Sequence, residues 1–286
     1  MNNGARLFVD KVKSIGTLPT VYTKVNELVN DPNCPAAKLG ACIANDQAIT
    51  SMMLKLVNSA LYGFPTYIDT VTKAVTIIGF KQTRDLVLSS SVINMFDSGG
   101  KDSLIDLKGF WKHSIATAIT AKILSRLIKR CDSETMFTAG LLHNIGRLLF
   151  LTNPDKVPIA ELLKHCRDNN LALYKHERKY LGFSSTDVAE ELFSKWNLPP
   201  LLKEAAVFHH MPMSAPRFKE EASCIHISDA IVHALMLGNS GDSLVPEISK
   251  DAWELLDIPL DKLKPVLLEL KEKYPELVKL FFKGQS

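Results

Sequence analysis

Five side chains carry donor types that could do chemistry here, and each stands in apolar or small-residue surroundings. His113 lies early in a helical stretch. His143 follows Ala139-Gly140-Leu141-Leu142. His209 and His210 are adjacent at the end of another stretch, and Asp229 sits between Ile225 and Val232. Imidazoles and a carboxylate converging from several helices are how a bundle builds a metal site. One divalent transition metal (Fe, Mn, Ni or Zn) is the cofactor such donors suit. A metal held this way could activate water for phosphoester hydrolysis. Plainer roles compete for the same residues. A core histidine is ordinarily hydrogen-bonded and nothing more. The His209-His210 pair could cap a helix C-terminus, where cations are favoured. Asp229 could pair with His226 or His233, three and four residues away on its own helix.

The elements that must position these groups read as helical. The apolar spacing Val21, Val25, Leu28, Val29 marks a first helix after Pro19, and Asp31-Pro32-Asn33 ends it. Helices are predicted over Pro35 to Ala44 and Gln47 to Leu61, with Asn45 or Asp46 as N-cap. Further helices are predicted over Val71 to Ile78 and Thr83 to Phe96. The β-branched run Val75-Thr76-Ile77-Ile78 is the one strand candidate. Beyond Asp97-Ser98-Gly99-Gly100-Lys101, the clearest linker, helices are expected near 110–130, 134–151, 155–169, 171–181, 186–196, 200–210 and 217–237. After a loop at Asn239-Ser240-Gly241-Asp242, short helices follow at 249–256, 261–273 and 275–283. On the His113 helix, Ala116, Thr117 and Thr120 share a face. Beside His143 lie Gly140 and Gly146. A glycine inside a helix costs about 1 kcal/mol relative to alanine, so close helix packing is the expected compensation. The fold class is all-α, in two lobes. The expected divisions are 1–97, an N-terminal helical lobe; 102–237, a helical lobe carrying the histidines; and 243–286, a C-terminal helical extension.

Composition narrows the function. Of 286 residues, 46% are hydrophobic and 23% charged, which excludes a disordered or low-complexity chain. The net charge is only +3, from 34 basic and 31 acidic residues, so no basic field covers the surface. Residues 35–44 and 46–59 could be read as helix-turn-helix, but the second helix carries only Lys55 as a cation. Nucleic acid is therefore not the expected partner. No apolar run reaches membrane-spanning length, and the N-terminal residues lack a signal-peptide core. Cys34, Cys42, Cys131, Cys166 and Cys224 are odd in number and form no C-x-x-C, as expected in a reducing cytoplasm. Neither a P-loop nor a G-x-S-x-G elbow occurs.

The segment Ala139-Gly140-Leu141-Leu142-His143-Asn144-Ile145-Gly146 resembles the A-G-L-L-H-D-I-G signature of HD-superfamily phosphohydrolases. Phe110-Trp111-Lys112-His113-Ser114 is similar to the segment holding the first histidine of that superfamily. Leu181-Gly182-Phe183, Trp196-Asn197-Leu198-Pro199 and His209-His210 follow one branch, the HDOD family (HD-related output domain). Leu56 to Gly63 and Ala74 to Gly79 resemble its two most recognisable N-terminal stretches. The resemblance covers roughly residues 14–235. It implies an all-α, cytoplasmic, bacterial signalling module. It also places His113, His143, Asn144 and Asp229 in the four core ligand positions of an HD site, with His209 and His210 where relatives hold a further metal.

Two departures weaken that site. Asn144 stands where the defining aspartate belongs, and a neutral amide oxygen is a weaker ligand and no general base. Ser185 stands where many relatives have a histidine; with Ser184, Thr186 and Asp187 it reads instead as a helix N-cap. A two-metal hydrolase is therefore not expected. The expected function is a regulatory module without catalysis, binding a signalling protein or small ligand. The alternative is a metal-dependent phosphohydrolase with an atypical HD site.

Overall fold

The local signals act where they are strongest. The structure, a computed structural model, describes residues 2–12, 18–97 and 104–282. Helix α1 (Asn3–Lys11) starts at Asn2, whose side chain accepts from the Gly4 and Ala5 amides. Helices α2 (Thr20–Val29), α3 (Ala36–Ala44), α4 (Gln47–Val57), α5 (Val71–Ile78) and α6 (Phe80–Asp97) follow. Asp46 caps α4 by accepting from the Ile49 amide at 3.0 Å. The strand candidate Val75–Ile78 is the second half of α5, so helical context outweighs its β-branched residues. Most of the predicted linker 97–101 lies outside the described residues.

The histidine-bearing part comprises α7 (Leu107–Ile128), α8 (Ser133–Leu142), α9 (Ile145–Thr152), α10 (Ile159–Asp168), α11 (Leu173–Leu181), α12 (Ser185–Lys195), α13 (Pro200–Val207), α14 (Lys219–Ala234) and α15 (Lys250–Leu256). The chain ends its described residues in α16 (Leu260–Phe282). No strand occurs among the described residues. Helix α1 was not anticipated, α4 stops at Val57 short of the expected Leu61, and three further differences bear on the site and the C-terminus. The helix anticipated over 134–151 breaks at His143-Asn144 into α8 and α9. The one anticipated over 200–210 stops at Val207, which places His209 and His210 beyond its end. The two expected at the C-terminus are the single helix α16, because Pro275 removes one backbone bond without ending it.

By proximity along and between elements, the chain groups into two compact units. One holds residues 1–16 and 99–268, the other residues 17–98 and 269–286. The contiguous divisions expected at 1–97, 102–237 and 243–286 differ from this grouping at both chain ends. In the first unit, α1 packs on α12, and Phe8 meets Phe150 and Phe183 at ring separations of 5.3 and 5.9 Å. In the second, the Ala60 amide donates to Glu276 at 3.2 Å and Lys273 donates to the Ala60 carbonyl at 2.8 Å.

Helix α7 is the axis of the first unit. It packs on α8 and α14 and is buried on every side along most of its length. Gly140 is what lets α8 approach. A methyl group there would stand 2.7 Å from the Ala118 Cα, inside van der Waals contact. Gly146 does the same for α9 on α12, where a methyl group would collide with the Ser185 carbonyl and the Ala189 amide. Both close approaches were expected from the two glycines, and both fix the ends of the His143-Asn144 break.

Candidate metal centre

The six candidate donors are delivered from four places in the first unit. His113 comes from the second turn of α7, His143 and Asn144 from the α8–α9 break, His209 and His210 from the residues after α13, and Asp229 from mid-α14. All six meet in one cluster. Asp229 is its hub, and it is 1% exposed. His113 Nε2–H donates to Asp229 Oδ1 at 2.8 Å. His143 Nε2 approaches the same oxygen at 3.3 Å. From the next turn of α14, His233 Nδ1 donates to the Asp229 carbonyl at 2.9 Å and lies 3.1 Å from Oδ1. The anticipated i,i+4 pairing of Asp229 with His233 is therefore present. Its alternative with His226 is not. His226 Nδ1–H donates to the His209 carbonyl at 2.7 Å, and its Nε2 accepts from the Ser249 amide at 3.0 Å.

Backbone carbonyls set the tautomers. His143 Nδ1–H donates to Gly140 O and His209 Nδ1–H to Ala206 O, both at 2.6 Å. In the neutral rings Nε2 then carries a lone pair. The 3.3 Å approach of His143 Nε2 to Asp229 sets a lone pair against a carboxylate oxygen, a contact that a cation would relieve. His209 Nε2 is buried with no hydrogen-bond partner among the described residues, an expensive arrangement for a ring nitrogen. The ligand atoms of His113, His143 and Asp229 lie within 4.8 Å of one another, as do those of His209, His210 and Asp229. Buried neutral imidazoles, one orphaned lone pair and one carboxylate are the donor set of a first-row transition metal, so these residues fit such an ion.

Protonation supports this. Burial drives His113 down to about 4, against the pull of Asp229. Burial and the neighbouring His143 drive His209 to about 3. His210 is also held well below its ordinary value, by burial and then by His209 and Arg147. The anticipated helix cap is present in part: His209 Nδ1–H closes the last turn of α13 on the Ala206 carbonyl, but burial disfavours the cationic form of both rings. Burial opposes ionisation of Asp229, but the nearby His233 and the hydrogen bonds from His113 and His233 hold its carboxyl well below the usual range. His233 is the counterpart: burial pushes it down, yet the Asp229 charge raises it overall.

A pH dependence follows for the metal-free protein. His113 and His209 have depressed folded values, so below about 6.5 the unfolded chain binds protons that the folded chain refuses. Stability is therefore full above that pH and falls as acid is added toward about 4 and then about 3. Asp229 adds to the loss below its unfolded value of 3.8. His233 acts oppositely, with a contribution present below 6.5 that is lost as pH rises through its elevated folded value. Urea titrations from pH 8 to 4 should show declining stability, and a flat profile between pH 6 and 4 would contradict these neutral rings.

The two sequence departures are built into the surrounding network. Asn144 Nδ2–H donates to His143 Nε2 at 2.8 Å, so the amide nitrogen, not its oxygen, faces that ring. Ser184 caps α12 in a capping box with Asp187, as anticipated. Ser185 donates both its amide and its hydroxyl to Glu177 Oε2 at 2.7 Å. Glu177 in turn faces Arg147, Nε to Oε1 at 3.6 Å, with both side chains 1% exposed. Arg147 Nη2 reaches His210 Nε2 at 3.4 Å, and His210 stacks on Tyr174 with centroids 4.0 Å apart. Arg147, Glu177 and Tyr174 were not anticipated. Arg147 did carry a signal, a lone cation ahead of Leu148-Leu149-Phe150-Leu151. Glu177 carried none, since Lys175-His176-Glu177-Arg178-Lys179 reads as a solvated face.

The architecture has matches among known proteins. The HDOD domain profile matches residues 15–212, well over half of the chain. The chain belongs to the HDOD family. Its fold is shared with an HDOD domain protein of unknown function from Geobacter sulfurreducens, with TM-score 0.78, 20% identity, and coverage of 98% of this chain and 96% of that one. A candidate phosphohydrolase from Shewanella amazonensis SB2B is similar, with TM-score 0.75, 21% identity and 98% of both chains covered. A candidate signal transduction protein from Marinobacter aquaeolei VT8 aligns over 92% of this chain and 59% of that one, with TM-score 0.67 and 18% identity. An uncharacterised protein from Treponema pallidum (strain Nichols) is 22% identical over 233 residues, 81% of this chain. The HDOD chain described here spans less than half of that relative, 44% of its length. No helix among the described residues is long and apolar enough to cross a membrane.

Proposed function

We propose that this HDOD protein is a bacterial regulatory module that binds a protein partner or small ligand and does not turn over a phosphoester. One observation carries this: Asn144 spends its amide N–H on His143 Nε2. An aspartate there would bring a charged ligand and general base; the amide brings neither and uses a lone pair the metal needs. Ser185, tied to Glu177, leaves no imidazole at its position to compensate. His113, His143 and Asp229 would hold one divalent transition metal, after rotation of the Asn144 amide, with His209 and His210 as further donors. Such an ion supplies Lewis acidity when bound, and within this donor set it would serve mainly to join α7, α8 and α14.

Metal content of purified protein, by mass spectrometry after growth with Fe, Mn, Ni or Zn, tests the site. About one equivalent, lost in His143→Ala, is expected. Hydrolysis assays on nucleotides, linear and cyclic dinucleotides and bis(p-nitrophenyl) phosphate should show no turnover. Metal-dependent turnover that His143→Ala abolishes would establish the phosphohydrolase alternative instead.

His226 should tune this centre without being a ligand, because it clamps the His209 carbonyl. Groups that orient ligands typically change metal affinity by roughly 10–100-fold when removed. His226→Ala is expected to fall in that range by chelator competition. His226→Asn, which keeps a donor near the Nδ1 position, should recover part of the loss. Equal affinity in all three proteins would remove His226 from the centre.

A further inference from the structure

We infer that the cavity walled by Leu151, Leu163, Cys166, Leu171 and Leu173 binds a small aliphatic carboxylate, with Arg167 as its counter-ion and segment 239–243 as the link to the histidine cluster. The inference deepens the regulatory proposal above by naming the class of small ligand.

The cavity lies wholly within the first unit and has a volume of about 220 Å³. That is below the roughly 300–1,000 Å³ of sites for drug-sized molecules, so the occupant is small. Its wall is mainly aliphatic, and Cys166 and Leu173 are buried in it. Two charged side chains line it, and they are not equivalent. The Asp242 carboxylate is already used, accepting from the Leu173 amide at 2.9 Å and the Leu244 amide at 3.2 Å. Arg167 has no acidic partner among the described residues. The cavity therefore offers an apolar body site and one uncommitted guanidinium. A guanidinium pairs bidentately with a carboxylate. A phosphate dianion would call for more cationic charge than this lining holds.

Ser240, between the lining residues Asn239 and Gly241, joins this segment to the cluster. Ser240 Oγ bonds His233 Nε2 at 2.8 Å, and His233 bonds Asp229. Gly241 holds the left-handed turn of this segment at φ +88°. A ligand that shifts segment 239–243 would therefore reach the cluster through the Ser240–His233 bond. By linkage, whatever it does to metal affinity the metal does to ligand affinity.

The test is calorimetric titration of the full chain with hexanoate, hexanol and hexylamine. Saturable hexanoate binding is expected, with hexanol and hexylamine weaker by about two- to fivefold, the scale of one solvent-exposed ion pair. Arg167→Gln, at an exposed position, should erase the preference of hexanoate over hexanol. Leu163→Trp should fill the cavity and abolish both. Hexanoate should also shift the His233 side-chain NMR signals. Absence of saturable binding at millimolar hexanoate, or an Arg167→Gln protein that binds hexanoate unchanged, would overturn the site. Unmoved histidine signals at saturation would overturn the link. Phosphoester turnover would overturn the regulatory proposal while leaving hexanoate binding to stand or fall by itself.

Discussion

Asp229→Ala is expected to lower stability by about 3–5 kcal/mol, the range for removing one partner of a buried charged pair, and to remove metal binding altogether. His113, His143 and His233 all approach this carboxylate, at 2.8, 3.3 and 3.1 Å. Without it, His113 Nε2–H loses its acceptor in a site that is 1% exposed, and His233 loses the charge that raises its pKa. Asp229→Asn separates the two effects. The amide oxygen can still accept from His113, so the loss should be smaller. It carries no charge, so the His233 titration should move to lower pH. Chemical denaturation and histidine NMR titration read these outcomes. A loss under about 1 kcal/mol in Asp229→Ala, the worth of an ordinary hydrogen bond, would show that Asp229 is not the hub.

Gly146→Ala should cost about 3 kcal/mol, although helix propensity alone predicts a gain of about 1 kcal/mol from the same change. The sign therefore decides between local preference and tertiary packing. The methyl group would meet the Ser185 carbonyl and the Ala189 amide, which are backbone and cannot rotate away. Helix α9 would have to lift from α12. Asn144 precedes the first residue of α9 and Arg147 follows Gly146 on it, so the Asn144–His143 bond and the Arg147–Glu177 pair should loosen together. Thermal melting gives the sign. A higher Tm in Gly146→Ala would contradict the close approach.

The same division between local and long-range forces separates what was legible in sequence from what was not. Helix positions were readable because they depend on apolar spacing and on caps such as Asp46 before α4 and Ser184 before α12, whose partners lie three residues away. The two glycines signalled close packing because an interior helix glycine has a local cost. His113, His143, His209, His210 and Asp229 stood out as polar residues in apolar surroundings. The resemblance to the HDOD family, carried by the residues around His143 and by His209-His210, was visible without coordinates.

Three-dimensional structure decided the rest, for a physical reason. Hydrogen-bond partners across a core are chosen by which helix faces meet, and spacing along the chain does not encode that choice. Only the fold shows that Asn144 turns its amide nitrogen to His143, that His226 bonds the His209 carbonyl and not Asp229, and that Glu177, 30 residues from Arg147 in sequence, faces it in the interior. Helix α13 stops at Val207, three residues before the expected end, and His209 caps it through the Ala206 carbonyl while burial, not helix position, disfavours a charge on the two rings. Sequence determined which residues are available to a metal or an anion. Packing determined which lone pairs and charges remain uncommitted once the core has closed.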